Sequence, residues 1–167
     1  MNTHEEESIS RTTLSRRVRR PYWMLLVVVV LGLGTVRASA VDRDSYIGNW
    51  VNVDAQTRGI KAIQIGVQDG QFQMRAWGAC HPNPCKWGQA NVSFLAPNVS
   101  SQDVASATAV YRPGFSIQRL TMRLDASGIL EVEVMTHFTD NSGRSDYVET
   151  NRFRRVSWSE WNSNSYN

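Results

Sequence analysis

Cys80 and Cys85 are separated by four residues, His81-Pro82-Asn83-Pro84, and carry the most reactive chemistry in the chain. Such a pair can close a disulfide, hold a metal as thiolates, or cycle between the two redox states. As a metal site, Cys80, His81 and Cys85 would give three ligands and His137 a fourth. The C-x4-C spacing lies outside the common structural zinc patterns and a second cysteine pair is missing, so a disulfide is expected and no metal. For catalysis, a nucleophile needs a base beside it. His137 falls on the same strand face as Glu131 and Glu133, where solvated side chains are expected, and His81 sits in the proline loop without a G-x-S-x-G context. Glu131 and Glu133 could share acid–base work, but alternating glutamates on an exposed strand more simply keep a sheet soluble. With no phosphate loop or metal-hydrolase pattern in the sequence either, the reading is a non-catalytic protein with no catalytic residues and no cofactor.

The elements that must position these groups are strands. After residue 45 the chain shows period-two alternation broken at short intervals by Gly, Pro, Asn and Asp, with no helical periodicity over ten or more residues. Eight strands are predicted: Tyr46–Val53, Ile60–Val67, Gln71–Trp77, Lys86–Phe94, Ala105–Tyr111, Ile117–Leu124, Ile129–Thr139 and Asp146–Val156. Asp69-Gly70 is a strong hairpin signal, and Gly128 and Gly143 mark further tight loops. The expected fold is an all-β, eight-stranded antiparallel up-and-down barrel. Ile63, Ile65, Val67, Phe72, Met74, Ala76, Leu120, Met122, Leu124, Leu130, Val132, Val134 and Thr136 share one face of their strands, and charged or amide residues alternate with them.

Ahead of this domain stands a leader. Arg16, Arg17, Arg19 and Arg20 precede 16 uncharged residues from Pro21 to Val36, and Ala38-Ser39-Ala40 follows. A basic region, an apolar stretch and an A-x-A site are the parts of a secretory signal, so residues 1–40 are expected to be a signal peptide, or an anchor if uncleaved. The barrel is then 41–156, and 157–167 is a polar, aromatic tail. The protein is expected to be secreted or periplasmic, touching a membrane only through the N-terminal segment. The leader holds six arginines and three glutamates, the whole +3 formal charge of the chain. The remainder carries 12 basic and 12 acidic residues (18 − 6 and 15 − 3), which removes the electrostatic argument for a nucleic-acid partner.

The barrel would open on Gly48-Asn49-Trp50 and close on Asn151-Arg152-Phe153-Arg154-Arg155. A G-x-W on the first strand with arginines on the last resembles the calycin barrels, the lipocalin-like and avidin-like group. The resemblance implies that Trp50 plugs one end while an arginine, Arg152 or Arg154 in the first instance and Arg155 as a third candidate, packs over its indole. A guanidinium over an indole gains a cation–π contact. Membership would also imply ligand binding in the other end. The interior is too apolar for a biotin-type site, so a small apolar ligand on Met74, Met122, Val134 and Thr136 is expected, or a protein partner. The alternative is a secreted structural or interaction protein with a filled barrel, contacting a macromolecule through loop 81–84 or the tail.

Trp77 to Gly88 reads W-G-A-C-H-P-N-P-C-K-W-G, nearly its own mirror image, and resembles a phrase that recurs in secreted bacterial proteins of unassigned role. The mirror register sets Cys80 opposite Cys85, Trp77 opposite Gly88 and Gly78 opposite Trp87, each indole covering a glycine. It also turns Val92 and Phe94 outward, which predicts a β-bulge at Gly78 or Gly88. In the tail, Trp158 and Trp161 are expected to pack on their own domain.

Overall fold

The computed structural model describes residues 41–164 and 166, so the predicted signal segment lies outside the described residues. Nine strands follow a short 3-10 turn, Arg43–Tyr46: β1 (Gly48–Asn52), β2 (Ile60–Gln68), β3 (Gln71–Gly78), β4 (Cys85–Asn91), β5 (Ser93–Leu95), β6 (Ser106–Tyr111), β7 (Ser116–Leu124), β8 (Leu130–Phe138) and β9 (Tyr147–Val156). Every neighbouring pair is antiparallel, in the order β4-β3-β2-β1-β9-β8-β7-β6-β5. Sequential hairpins run from β1 to β4 and from β5 to β9, and β9 returns to pair with β1.

The sheet rolls up because β4 and β5 are two halves of one bent strand. The first half pairs with β3 and the second with β6, and the Val92 N–H between them still donates to the Phe72 carbonyl (2.8 Å). The fold is thus the expected up-and-down barrel, nearly closed. The predicted strand from Lys86 to Phe94 is split at Val92, which makes nine strands from eight. The β-bulge falls at Gly88, whose φ of 88° is costly for other residues. Opposite it the β3–β4 register slips between Arg75 and Trp77.

The mirror register of the hairpin is corrected. Gly78 pairs with Cys85 and Trp77 with Lys86, so Ala79 to Pro84 form the loop. Prolines at 82 and 84 carry no N–H for a ladder, and the chain therefore opens wider than the mirror symmetry implies. The disulfide Cys80–Cys85 closes across that loop with a Cα–Cα separation of 5.4 Å. A loop this short gives the bridge about 2 kcal/mol in the chain-entropy picture. The double replacement Cys80→Ser and Cys85→Ser should accordingly lower the unfolding free energy, read from a urea titration, by that amount while leaving far-UV circular dichroism unchanged.

Inward-facing Trp50, Ile63, Ile65, Met74, Leu120, Met122, Leu130, Val132, Val134 and Phe153 form the buried core. Val67 departs from the expected pattern: beside the Asp69-Gly70 turn it is half exposed. A second cluster lies on the outer wall, where helix α1 (Trp158–Ser163) seats Trp161 against Trp77, Ala62 and Val156. Ser157 caps α1 by accepting from the Glu160 N–H (3.2 Å), and Glu160 in turn holds the Arg154 guanidinium. Tyr166 joins the cluster, stacked against Trp161 with ring centroids 4.9 Å apart.

Candidate functional site at the open end of the barrel

The two ends of the barrel are built differently. At one, the 3-10 turn lies across the opening, and the Trp50 indole N–H donates to the Tyr46 carbonyl (3.0 Å). Arg155, directly opposite Trp50 in the β1–β9 register, lays its guanidinium 4.5 Å above the indole and donates to the Ser45 carbonyl. Its stem crosses Gly48, where a Cβ would meet it at 3.5–3.6 Å. Arg152 and Arg154 point the other way: Arg154 pairs with Glu160, and Arg152 stands 3.7 Å from Asp125. The arginine over Trp50 is therefore Arg155, not Arg152 or Arg154. Alternation settles it, because Phe153 faces the core and Arg155 shares its side of the strand.

The other end is open. Its recess of about 540 Å³ is walled by Trp87, Tyr111, Phe115 and Phe138, with Val134 and Thr136 behind them. Up-and-down topology places these aromatics together, since Tyr111 ends β6, Phe115 precedes β7 and Phe138 ends β8. Trp87 stands edge-on to Tyr111, centroids 5.7 Å apart. It also covers Gly78, where a Cβ would lie 2.5 Å from the indole nitrogen. The Tyr111 hydroxyl donates to the Met74 carbonyl (3.0 Å), and burial pushes its pKa well above the ordinary phenol value. Arg144 lies 3.9 Å above the Phe138 ring, and Cys80 and Cys85 border the same recess.

Polar groups at this end come from several elements: Arg58, Lys86 of β4, Gln118 of β7 and Arg144 stand at its rim, and β9 adds more. Tyr147 and Glu149 line the recess opposite Thr136 and Val134, and Asn151 follows deeper, opposite Val132. Asn151 accepts from the Asn52 amide (3.0 Å). The Thr136 hydroxyl is buried without a hydrogen-bond partner among the described residues, as is that of Ser116 one diagonal step away. A buried hydroxyl left unpaired at a cavity wall is a ready partner for a polar atom of a ligand.

Of the four residues expected to line the interior, Val134 and Thr136 border the recess, whereas Met74 and Met122 are buried in the packed core. They sit deeper, where the barrel is filled. Sequence reasoning missed Trp87, Tyr111, Phe115, Phe138 and Glu149; an aromatic at the end of each strand on one side of the meander is the signal that could have found the first four. Outside the barrel, His137 Nδ1 lies 2.6 Å from Asp146 Oδ2, and this bond, joined by the Phe138 N–H, holds the Asp146 carboxyl below its usual range. His81 and the outward Glu131 and Glu133 are solvent-exposed. The cysteine sulfurs are bonded to each other, so they offer no thiolates to a metal.

No family model, no curated protein and no solved structure matches the chain. Fold and site together define a nearly closed antiparallel β-barrel with one plugged and one open end, and its disulfide is compatible with an extracellular or periplasmic location.

Proposed function

We propose that the chain is an exported, non-catalytic barrel of the calycin type that holds a small, mainly apolar ligand in its open end. One observation carries the reading: a recess of about 540 Å³ with aromatic walls in which Thr136 holds a buried hydroxyl that has no partner among the described residues. This is within the usual size of small-molecule sites, which combine apolar walls with a few fixed polar groups. The G-x-W, the 3-10 turn and Arg155 over Trp50 support the calycin likeness, and the leader and disulfide support export. The closed end is packed with Trp50, Tyr46 and Phe153, so binding belongs at the mouth and not along the barrel axis.

Titration of the full chain, at a detergent concentration below the critical micelle concentration, with the apolar fluorophore N-phenyl-1-naphthylamine tests this. Saturable binding is expected, weakened at least tenfold by Gln118→Trp, which fills the recess from a partly exposed position on β7. Near-UV circular dichroism checks that the variant is folded. Absence of binding, or equal binding by a folded Gln118→Trp protein, would refute the proposal.

A further inference from the structure

The outer walls of the two halves of the barrel differ in kind. The outward charges are basic on β7 and acidic on β8, and the register sets Arg123 opposite Glu131 and Glu131 opposite Arg152 of β9. This is an ordinary solvated face. Strands β1 to β4 contain no Asp or Glu at all. Their outer wall is an amide field with Arg75 at its centre.

The amides are hydrogen-bonded to one another in two sets. Gln64 donates to Asn49 (3.0 Å), both the Nε and an Nη of Arg75 donate to Gln89 (3.3 Å each), and Gln89 donates to Gln68 (3.4 Å) and to Gln73. Two recesses lie over this wall, of about 390 and 330 Å³, and they share Gln64, Arg75 and Gln89. They therefore form one continuous groove across β1 to β4. At one end α1 supplies the aromatic boundary. Trp158 stands there 62% exposed, unlike its buried neighbour Trp161, and so offers a free indole face beside the amides. The Trp77 indole N–H, buried at the same border, has no partner among the described residues.

We infer that this groove binds an oligosaccharide. A sugar ring presents an apolar C–H face that stacks on an indole and a rim of hydroxyls that both donate and accept. Side-chain amides match that rim because each carries an acceptor and two donors on one plane. Arg75 and Lys86 add cationic donors, and the hydrogen bonds of Arg75 to Gln89 and of Gln64 to Asn49 hold those side chains in place before the ligand arrives. A protein partner would call for an apolar, charge-depleted centre rich in aromatics. Here a single exposed indole borders a field of amides. The groove is separate from the aromatic recess at the mouth, with which it shares only Lys86 of its lining.

Calorimetric titration of the full chain in mild detergent with two soluble hexasaccharides, one of β1,4-glucose and one of β1,4-mannuronate, provides the test. Binding of at least one hexamer is expected, weakened tenfold or more by Trp158→Ala and severalfold by Gln64→Ala. Trp158 is exposed and Gln64 lies on the outer wall, so both variants should fold, and Arg119→Ala on the opposite wall should bind as the parent does. Failure of both hexamers to bind overturns the inference, as does binding that persists in Trp158→Ala. Neither result bears on the fluorophore site at the mouth.

Discussion

Replacing Trp50 by alanine is expected to lower the unfolding free energy by about 3–5 kcal/mol, the usual cost of deleting a buried aromatic. Three losses coincide at this position. The indole is fully buried, so its removal leaves a cavity beneath the 3-10 turn. Its N–H satisfies the Tyr46 carbonyl, which would be left buried without that donor. Arg155 loses the ring over which its guanidinium lies. Against a typical domain stability of about 5–15 kcal/mol this is a large fraction. Arg155→Ala should cost only about 1 kcal/mol, because its guanidinium is open to water and the cation–π contact is weak there. Urea unfolding of both variants checks the ratio; a Trp50→Ala cost below that of Arg155→Ala would mean that the ring does not close the barrel.

Much of this architecture was legible because a half-buried strand announces itself by alternation, and the Asp69-Gly70 turn fixed one hairpin outright: both residues have positive φ, at 51° and 75°. What escaped the sequence depends on register between distant segments. Three arginines crowd the end of β9, and a one-residue slip swaps the inward set for the outward one. Phe153 could have fixed the parity, since an inward Phe153 implies an inward Arg155. The cysteine hairpin misled through its symmetry, because residue types mirrored while the prolines dictated a wider loop. The bend at Val92 was foreshadowed by the conflict that put Val92 and Phe94 outward, and the bulge at Gly88 resolves it. For the open end, the interior residues were identified correctly as to face but not as to depth. Alternation reports which side of a sheet a residue occupies; it is silent on how far along the barrel the packing stops. Met74 and Met122 therefore looked equivalent to Val134, although only the last reaches the recess. Ser157, an N-cap residue three before Glu160, also marks a helix start in the tail, where a short polar stretch gave no periodicity.

Val132→Asp should unfold the barrel, whereas Met135→Asp, three residues along the same strand, should change stability by no more than about 0.5 kcal/mol. Val132 is completely buried on β8, between Met122 of β7 and Asn151 of β9. Its apolar contribution alone is about 1.5–3 kcal/mol. A carboxylate placed there loses its hydration without gaining a counter-charge, a penalty larger still, which the chain can relieve only by protonating the group or by unfolding. Asn151 does not rescue it: its oxygen is already taken by Asn52, and the two N–H donors of its neutral, unpaired amide nitrogen are weak recompense for a buried charge. Met135 faces outward at 46% exposure beside Arg119, so a carboxylate there stays in water and near a cation. Near-UV circular dichroism and urea titration of the pair separate the two cases. Loss of the folded signal in Val132→Asp alone is the expected result, and it would persist at pH 7 but ease toward pH 4, where the new carboxyl is neutral. Equal effects at both positions would show that the inward and outward faces of β8 are not distinguished by burial, and with that the packed barrel itself would fall.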